Sequence, residues 1–177
     1  WIYRYFLLND LRHHKQRYPM MVQRYVALAF ERNAVPSATE MPVLAPKLTV
    51  NPQQQAATLK QFEKQTALLG TRPLIGFCPG AEFGPAKRWP HYHYAKLAEM
   101  LIEQGYAIML FGSAKDVDVG EQIRNTLPKT LQPFCVNLAG QTSLDQAVDL
   151  IAHCAVIVSN DSGLMHIAAA TSRPLVA

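Results

Sequence analysis

The sequence lacks most of the short signatures that mark nucleotide-handling and hydrolytic enzymes. It has no G-x-x-x-x-G-K-[ST] loop, in which a lysine follows the second glycine directly and a hydroxyl then holds magnesium; this argues against a Walker-type ATPase or kinase. No G-x-G-x-x-G follows its first apolar run, which counts against a dinucleotide oxidoreductase, and no G-x-S-x-G elbow supports a serine hydrolase. Cysteine is scarce: Cys78, Cys135 and Cys154 lie in or beside apolar runs, at spacings that match no metal motif. Buried, reduced thiols are expected, as suits a cytosolic protein. His13-His14 and His91-Tyr92-His93 have no Cys or carboxylate partner at ligand spacing, so no metal and no cofactor is assigned. No apolar run reaches the roughly 18 residues that a membrane span needs. The chain opens on "WIYRYFLLND", without an initiator Met or the layout of a signal peptide, and it stops at "TSRPLVA", inside an apparent strand. Both ends look cut, so a piece of a longer protein is expected.

What is present reads as a globular α/β chain. Of 177 residues, 49% are apolar and only 17% charged, enough to bury one full core or one domain and part of another. The net charge of +4 is concentrated at one end. Residues 1–32 carry Arg4, Arg12, Lys15, Arg17, Arg24 and Arg32 against Asp10 and Glu31, and the remainder balances to zero. Such a segment suits an anionic partner, either a phosphorylated lipid surface or nucleic acid, although on charge alone a solvated basic helix explains it better.

Residues 19–30 place Met21, Val22, Tyr25, Val26 and Ala29 on one helical face. Pro36, Pro42, Pro46 and Pro52 then mark a connector and the domain boundary, giving 1–50 and 51–177 as the two parts. A Gln-rich helix is expected from about 53 to 69, closed by Gly70. Beyond it, short apolar runs at 73–78, 106–112, 134–140 and 155–160 alternate with helical patterns, and "RPLVA" begins a fifth strand. Ser143 and Gln146 form a capping-box pair at one helix start. Strand–helix alternation with continuously apolar strands indicates a parallel sheet covered on both faces, with ligands bound at the carboxyl ends of the strands.

Two of the loops at those ends have anion-binding chemistry. "PGAEFGPAKRWP" (79–90) allows close backbone approach at Gly80 and Gly84. It then delivers Lys87 beside a helix start, where free N–H groups carry partial positive charge. A surface turn with a solvated Lys-Arg pair is the alternative. In "SNDSGLMH" (159–166), Asp161, Ser162 and Gly163 stand where the fourth strand meets a helix, and His166 follows one turn on. Here the alternative makes Asp161 an N-cap and His166 a partly buried core histidine. Asp116-Val117-Asp118 spells D-x-D, but it falls at a helix start, where acidic residues suit the dipole, and it is read as structural.

Taken together, "YRYFLLND", "GFCPGAEFGPAKRWPHYHYAKLA", "LFGSAKD", "NLAGQTSLDQAVDLI" and "SNDSGLMHIAAATSRPLVA" resemble the ADP-heptose:lipopolysaccharide heptosyltransferases, glycosyltransferase family 9. That resemblance implies a GT-B fold of two Rossmann-like domains. The chain would carry the tail of the N-terminal acceptor domain and most of the C-terminal, ADP-sugar-binding domain, truncated at its C-terminus. It implies inverting, metal-independent transfer of L-glycero-D-manno-heptose from ADP-heptose to the inner-core heptose of lipopolysaccharide. By the same resemblance Lys87 holds the donor diphosphate and stabilises the leaving group; Arg88 beside it is expected to be mainly a surface charge. Asp161, Ser162, Gly163 and His166 line the phosphate and sugar end, and Gly80, Ala81 and the loop from Ser113 to Asp116 flank the nucleotide. The catalytic base belongs upstream of Trp1, so the piece alone should bind more readily than it turns over. The expected partners are ADP-heptose and the lipopolysaccharide acceptor, not nucleic acid. The expected location is cytoplasmic, with room for peripheral contact at the inner membrane. Another GT-B nucleotide-sugar transferase, an epimerase, or a nucleotide-binding fragment without activity of its own are the alternatives.

Overall fold

The computed structural model describes residues 17–31, 34–81 and 85–177. The chain divides into two compact units, Trp1–Ala45 and Pro46–Ala177, and the break falls within the proline-bearing connector.

In the first unit one helix is described, α1 (Met21–Ala27), shorter than the 19–30 expected. Pro19 and Met20 lie outside it, and the Met20 backbone N–H donates to Gln23 Oε1 at 3.1 Å. Fully buried Tyr18 packs with Ala27 and Met41, and its hydroxyl donates to the Pro36 carbonyl at 2.7 Å. The apolar stripe is divided: Met21, Val22 and Tyr25 are exposed, Val26 packs against the Tyr18, Ala27 and Met41 cluster, and Gln23 and Ala27 are buried. Buried Gln23 is satisfied there, its amide donating to the Ala38 carbonyl at 3.1 Å.

The second unit is a five-stranded sheet in the order β3-β2-β1-β4-β5. The strands are β1 (Leu74–Cys78), β2 (Ala107–Leu110), β3 (Cys135–Asn137), β4 (Val156–Ser159) and β5 (Leu175–Val176). Every pairing is parallel. Helices α2 (Pro52–Gln61) and the short α3 (Glu63–Thr66) precede the sheet. Between strands run α4 (His91–Glu103), α5 (Val117–Thr126), α6 (Leu144–His153) and α7 (Gly163–Ala170). The Gln-rich segment is therefore helical but broken at Phe62, a core residue at 4% exposure.

The strands are short and apolar because both faces are covered. Ile75 and Phe77 of β1 and Ile108 and Leu110 of β2 pack on one side with Tyr94, Ala98 and Ile102 of α4 and Ile123 of α5. Cys78, Met109 and Ile157 pack on the other with Phe62, Leu150 and Ile151 of α6 and Ala168 of α7. Burying one such aliphatic side chain contributes about 1.5–3 kcal/mol. The chain builds outward from β1 through β2 to β3, then α6 carries it back so that β4 lands on the other side of β1. That reversal leaves a crevice between the loops leaving β1 and β4, at the carboxyl end of the sheet.

The cysteines are free and buried, as expected. Burial raises all three thiols, Cys78 and Cys135 to about 12 and Cys154 in the same direction, so none presents a thiolate near neutrality.

Candidate functional site

The loop leaving β1 is fastened at both ends by one buried side chain. Asn160, directly after β4 and 7% exposed, donates from Nδ2 to the Pro79 carbonyl at 2.7 Å. Its Oδ1 accepts from the Trp89 backbone N–H at 3.2 Å and from the Tyr94 hydroxyl at 3.1 Å. Its own backbone N–H donates to the Cys78 carbonyl at 3.1 Å, continuing the β1–β4 ladder. Trp89 stacks on His93 and meets Tyr94 edge-on, with ring centroids 5.4 and 4.9 Å apart.

Inside that loop, Lys87 closes a 3₁₀ turn, Pro85–Lys87, and its ammonium lies 2.6 Å from Asp161 Oδ2. The lysine's hydrogen bond and then its charge hold the Asp161 carboxyl below the ordinary aspartate range, with a lesser contribution from His166. Arg88 is exposed, as a surface charge should be, but it is tethered. Its Nε and Nη2 both donate to the Ala81 carbonyl, at 3.0 and 2.9 Å, because a planar guanidinium can grip one acceptor with two N–H groups. Gly84, the second glycine of the loop, lies outside the described residues.

The loop leaving β2 packs against the first. Ser113 donates to Asp116 Oδ2 from its backbone N–H at 2.8 Å and from its hydroxyl at 2.7 Å, a capping arrangement that accounts for the D-x-D spelling structurally. The Asp116 carboxylate rests against the Gly80 and Gly112 backbones: a Cβ on Gly80 would fall 2.6 Å from Asp116 Oδ1 and one on Gly112 2.6 Å from its Cβ. Both positions thus require glycine for close approach rather than for an unusual dihedral.

After β4 the turn opens α7, whose N-cap is Ser162 rather than Asp161. The Ser162 hydroxyl lies 3.4 Å from that of Ser159 and does not cap the helix, so the first amides of α7 keep their polarity for a ligand. His166 is exposed, which removes its reading as a core histidine.

These loops enclose a cavity of about 710 Å³, within the range of small-molecule sites. Gly80, Ala81 and Lys87 form one wall, Ser113 and Asp116 a second, and Asp161, Ser162 and Gly163 a third; His166 lies outside the lining. Sequence reasoning missed Arg88 and also Thr142, Ser143 and Leu144, which line the cavity from the start of α6. The position of that loop after β3 was the available signal. It also missed Asn160, whose signal was a polar amide closing an apolar strand. A depression of about 760 Å³ at the amino ends of β1 and β4, lined by Pro73, Ala155 and Arg173 among others, holds none of the expected residues. The carboxyl-end cavity is the candidate site because it combines glycine-permitted backbone approach, a lysine–aspartate pair and an uncapped helix start at the switch point. Among the described residues no group of three or more His, Cys, Asp or Glu could hold a metal.

Known proteins match this arrangement. The chain is 74% identical over 174 residues to lipooligosaccharide heptosyltransferase 2 of Haemophilus influenzae, covering 98% of this chain and 50% of that one. It is 55% identical over 177 residues to lipopolysaccharide heptosyltransferase 2 of Escherichia coli, with 98% and 50% covered. The solved structure of E. coli ADP-heptose lps heptosyltransferase II superposes with a TM-score of 0.86 at 55% identity, over 97% of this chain and 52% of that one. The chain therefore spans about half the length of the curated relatives it matches, and its parallel sheet is that of a GT-B heptosyltransferase. With the family model for glycosyltransferase family 9 (heptosyltransferase) matching residues 1–177, the chain belongs to that family.

Proposed function

We propose that the protein to which this chain belongs transfers L-glycero-D-manno-heptose from ADP-heptose to the inner-core heptose of lipopolysaccharide, with inversion and without a metal. In this reading residues 1–50 end the acceptor domain, and residues 51–177 form the donor domain around the carboxyl-end cavity. The observation that carries it is the Lys87–Asp161 pair, 2.6 Å apart, at the rim of a cavity whose other walls are glycine backbone and the start of α7. The relatives' names favour heptose as the sugar and ADP as the carrier.

The chemistry follows from charge. Cleaving the sugar–diphosphate bond leaves new negative charge on ADP, and fixed positive groups that already point at it lower the barrier. Lys87 supplies a full charge, and the N–H groups of Ser162, Gly163 and the first turn of α7 supply partial ones. Asp161 repels phosphate, so it faces the sugar hydroxyls, as acceptor, and keeps Lys87 directed at the rim. His166, beyond the lining, acts at the sugar end. Gly80 and Ala81 admit the nucleotide against the backbone, and Ser113 and Asp116 bound it on the far side. The catalytic base belongs to the part of the protein before residue 1, so the isolated chain binds donor without turning it over. The acceptor is a lipid-linked saccharide, which places the enzyme in the cytoplasm with peripheral contact at the inner membrane.

The test is to incubate the full-length protein with ADP-heptose and an acceptor ending in inner-core heptose, with EDTA present. Transfer with inverted anomeric configuration is expected. Retention, a strict metal requirement, or equal use of a UDP-sugar would overturn the reading.

A further inference from the structure

Asn160 bonds to both ends of the loop that carries Lys87 and stands immediately before Asp161. Its Nδ2 holds Pro79, where the loop leaves β1, at 2.7 Å. Its Oδ1 holds Trp89, two residues past Lys87, at 3.2 Å. The third partner, the Tyr94 hydroxyl at 3.1 Å, anchors the same oxygen to α4. Backbone bonds complete the joint: the Asn160 N–H reaches Cys78, and its carbonyl accepts from the Ser159 hydroxyl at 2.7 Å. The amide thus ties the entry and exit of one loop to the base of the other. An asparagine is suited to this because one small side chain offers a donor and a two-fold acceptor in a fixed plane. Lys87 and Asp161 are themselves exposed, with side-chain exposures of 49% and 61%. Two exposed side chains do not hold a single geometry through their own ion pair; their separation is set by the backbones that carry them.

We propose that Asn160 is a positioning residue for transfer: it sets where the Lys87 ammonium stands relative to Asp161 and the start of α7, and acts on the reaction through Lys87 without touching the donor. This rests on the reading of Lys87 as the diphosphate contact. Misplacing a reacting group by about 1 Å is enough to cost up to about a hundredfold in rate.

A double-mutant cycle in the full-length protein tests it, with kcat and the donor KM measured for Asn160→Ala, Lys87→Ala and the double variant. Because Asn160→Ala leaves buried Pro79 and Tyr94 groups unpaired and can fail to fold, Asn160→Asp is run in parallel. It is isosteric, keeps the acceptor for Trp89 and Tyr94, and loses only the donor to Pro79 while adding a charge beside Asp161. Each variant should lower kcat by about ten- to a hundredfold with Lys87 present, and by less than about twofold once Lys87 is alanine, since residues acting through one another are not additive. Equal losses in both backgrounds would make Asn160 merely structural and overturn the inference. A Lys87→Ala variant with unchanged kcat would instead overturn the donor reading beneath it.

Discussion

Lys87 brings a full positive charge to the rim of the cavity and meets one carboxylate there, at 2.6 Å. On the proposed donor reading, Lys87→Ala in the full-length protein would remove a contact that strengthens as ADP departs; by comparison with losing one oxyanion-hole donor, kcat should fall about a hundredfold, roughly 3 kcal/mol. Its neighbour is occupied differently. Arg88 grips the Ala81 carbonyl twice, so Arg88→Ala should cost more than the 0–1 kcal/mol of an exposed ion pair. A hydrogen bond from a charged group is worth about 1.5–3 kcal/mol, and the loss should appear mainly as a raised donor KM, because the loop that would flank the nucleotide on the proposed reading loosens. Steady-state kinetics on both variants separate the two roles; a larger kcat loss at Arg88 than at Lys87 would reverse the assignment. Asp161 offers a check that needs no substrate. Lys87 lowers its folded-state pKa, so the pair persists as pH falls past the ordinary aspartate value of 3.8 and is lost only below it. A carboxyl titration followed by NMR should show a midpoint below 3.8 that returns toward it in Lys87→Ala.

At the level of elements, α2 and α6 are joined by a polar contact within an apolar layer. The Thr58 hydroxyl donates to Asp149 Oδ2 at 2.7 Å, and the Gln55 amide donates to the Asp149 carbonyl at 2.9 Å, with Asp149 only 4% exposed. Thr58→Val keeps the shape and leaves a buried carboxylate oxygen without its donor, a change that costs about 1–3 kcal/mol; urea unfolding should show the midpoint shift without a change of slope. The strands were legible in the sequence because burial on both faces makes each one a continuous apolar run, as at "LIGFC" and "AIML". The loops at their ends were legible as glycines and a lysine directly after apolar runs, although the contacts that require Gly80 and hold Lys87 come from Asp116 and Asp161, far along the chain. Asn160 was not, because its side-chain partners lie 66 to 81 positions away in sequence and only the packed sheet brings them together. A 3.6-residue period likewise gives the face of α1 but not the side on which the core lies, where buried Gln23 bonds to Ala38.

Across the whole molecule, the basic excess lies in residues 1–32, most of which fall outside the described residues. Of those described, Arg24 donates to the Tyr18 and Pro19 carbonyls at 2.7 and 2.9 Å, and Arg17 to the Val35 carbonyl at 3.2 Å; among the described residues neither forms an ion pair, and on the proposed reading their charge would draw a phosphorylated acceptor. Acceptor KM in the full-length enzyme should therefore rise with salt, as the screening length falls from about 10 Å at 0.1 M to about 3 Å at 1 M. The rise should be shallower in Arg17→Gln; a KM flat with salt in both proteins would discard the electrostatic role. Calorimetric titration of this chain with ADP in EDTA checks the proposal that the carboxyl-end cavity binds ADP without a metal, through Lys87. Saturable one-site binding is expected, which UDP does not match and which Lys87→Ala weakens at least tenfold, about 1.4 kcal/mol. Binding that needs a divalent metal, or that is the same with and without Lys87, would contradict it.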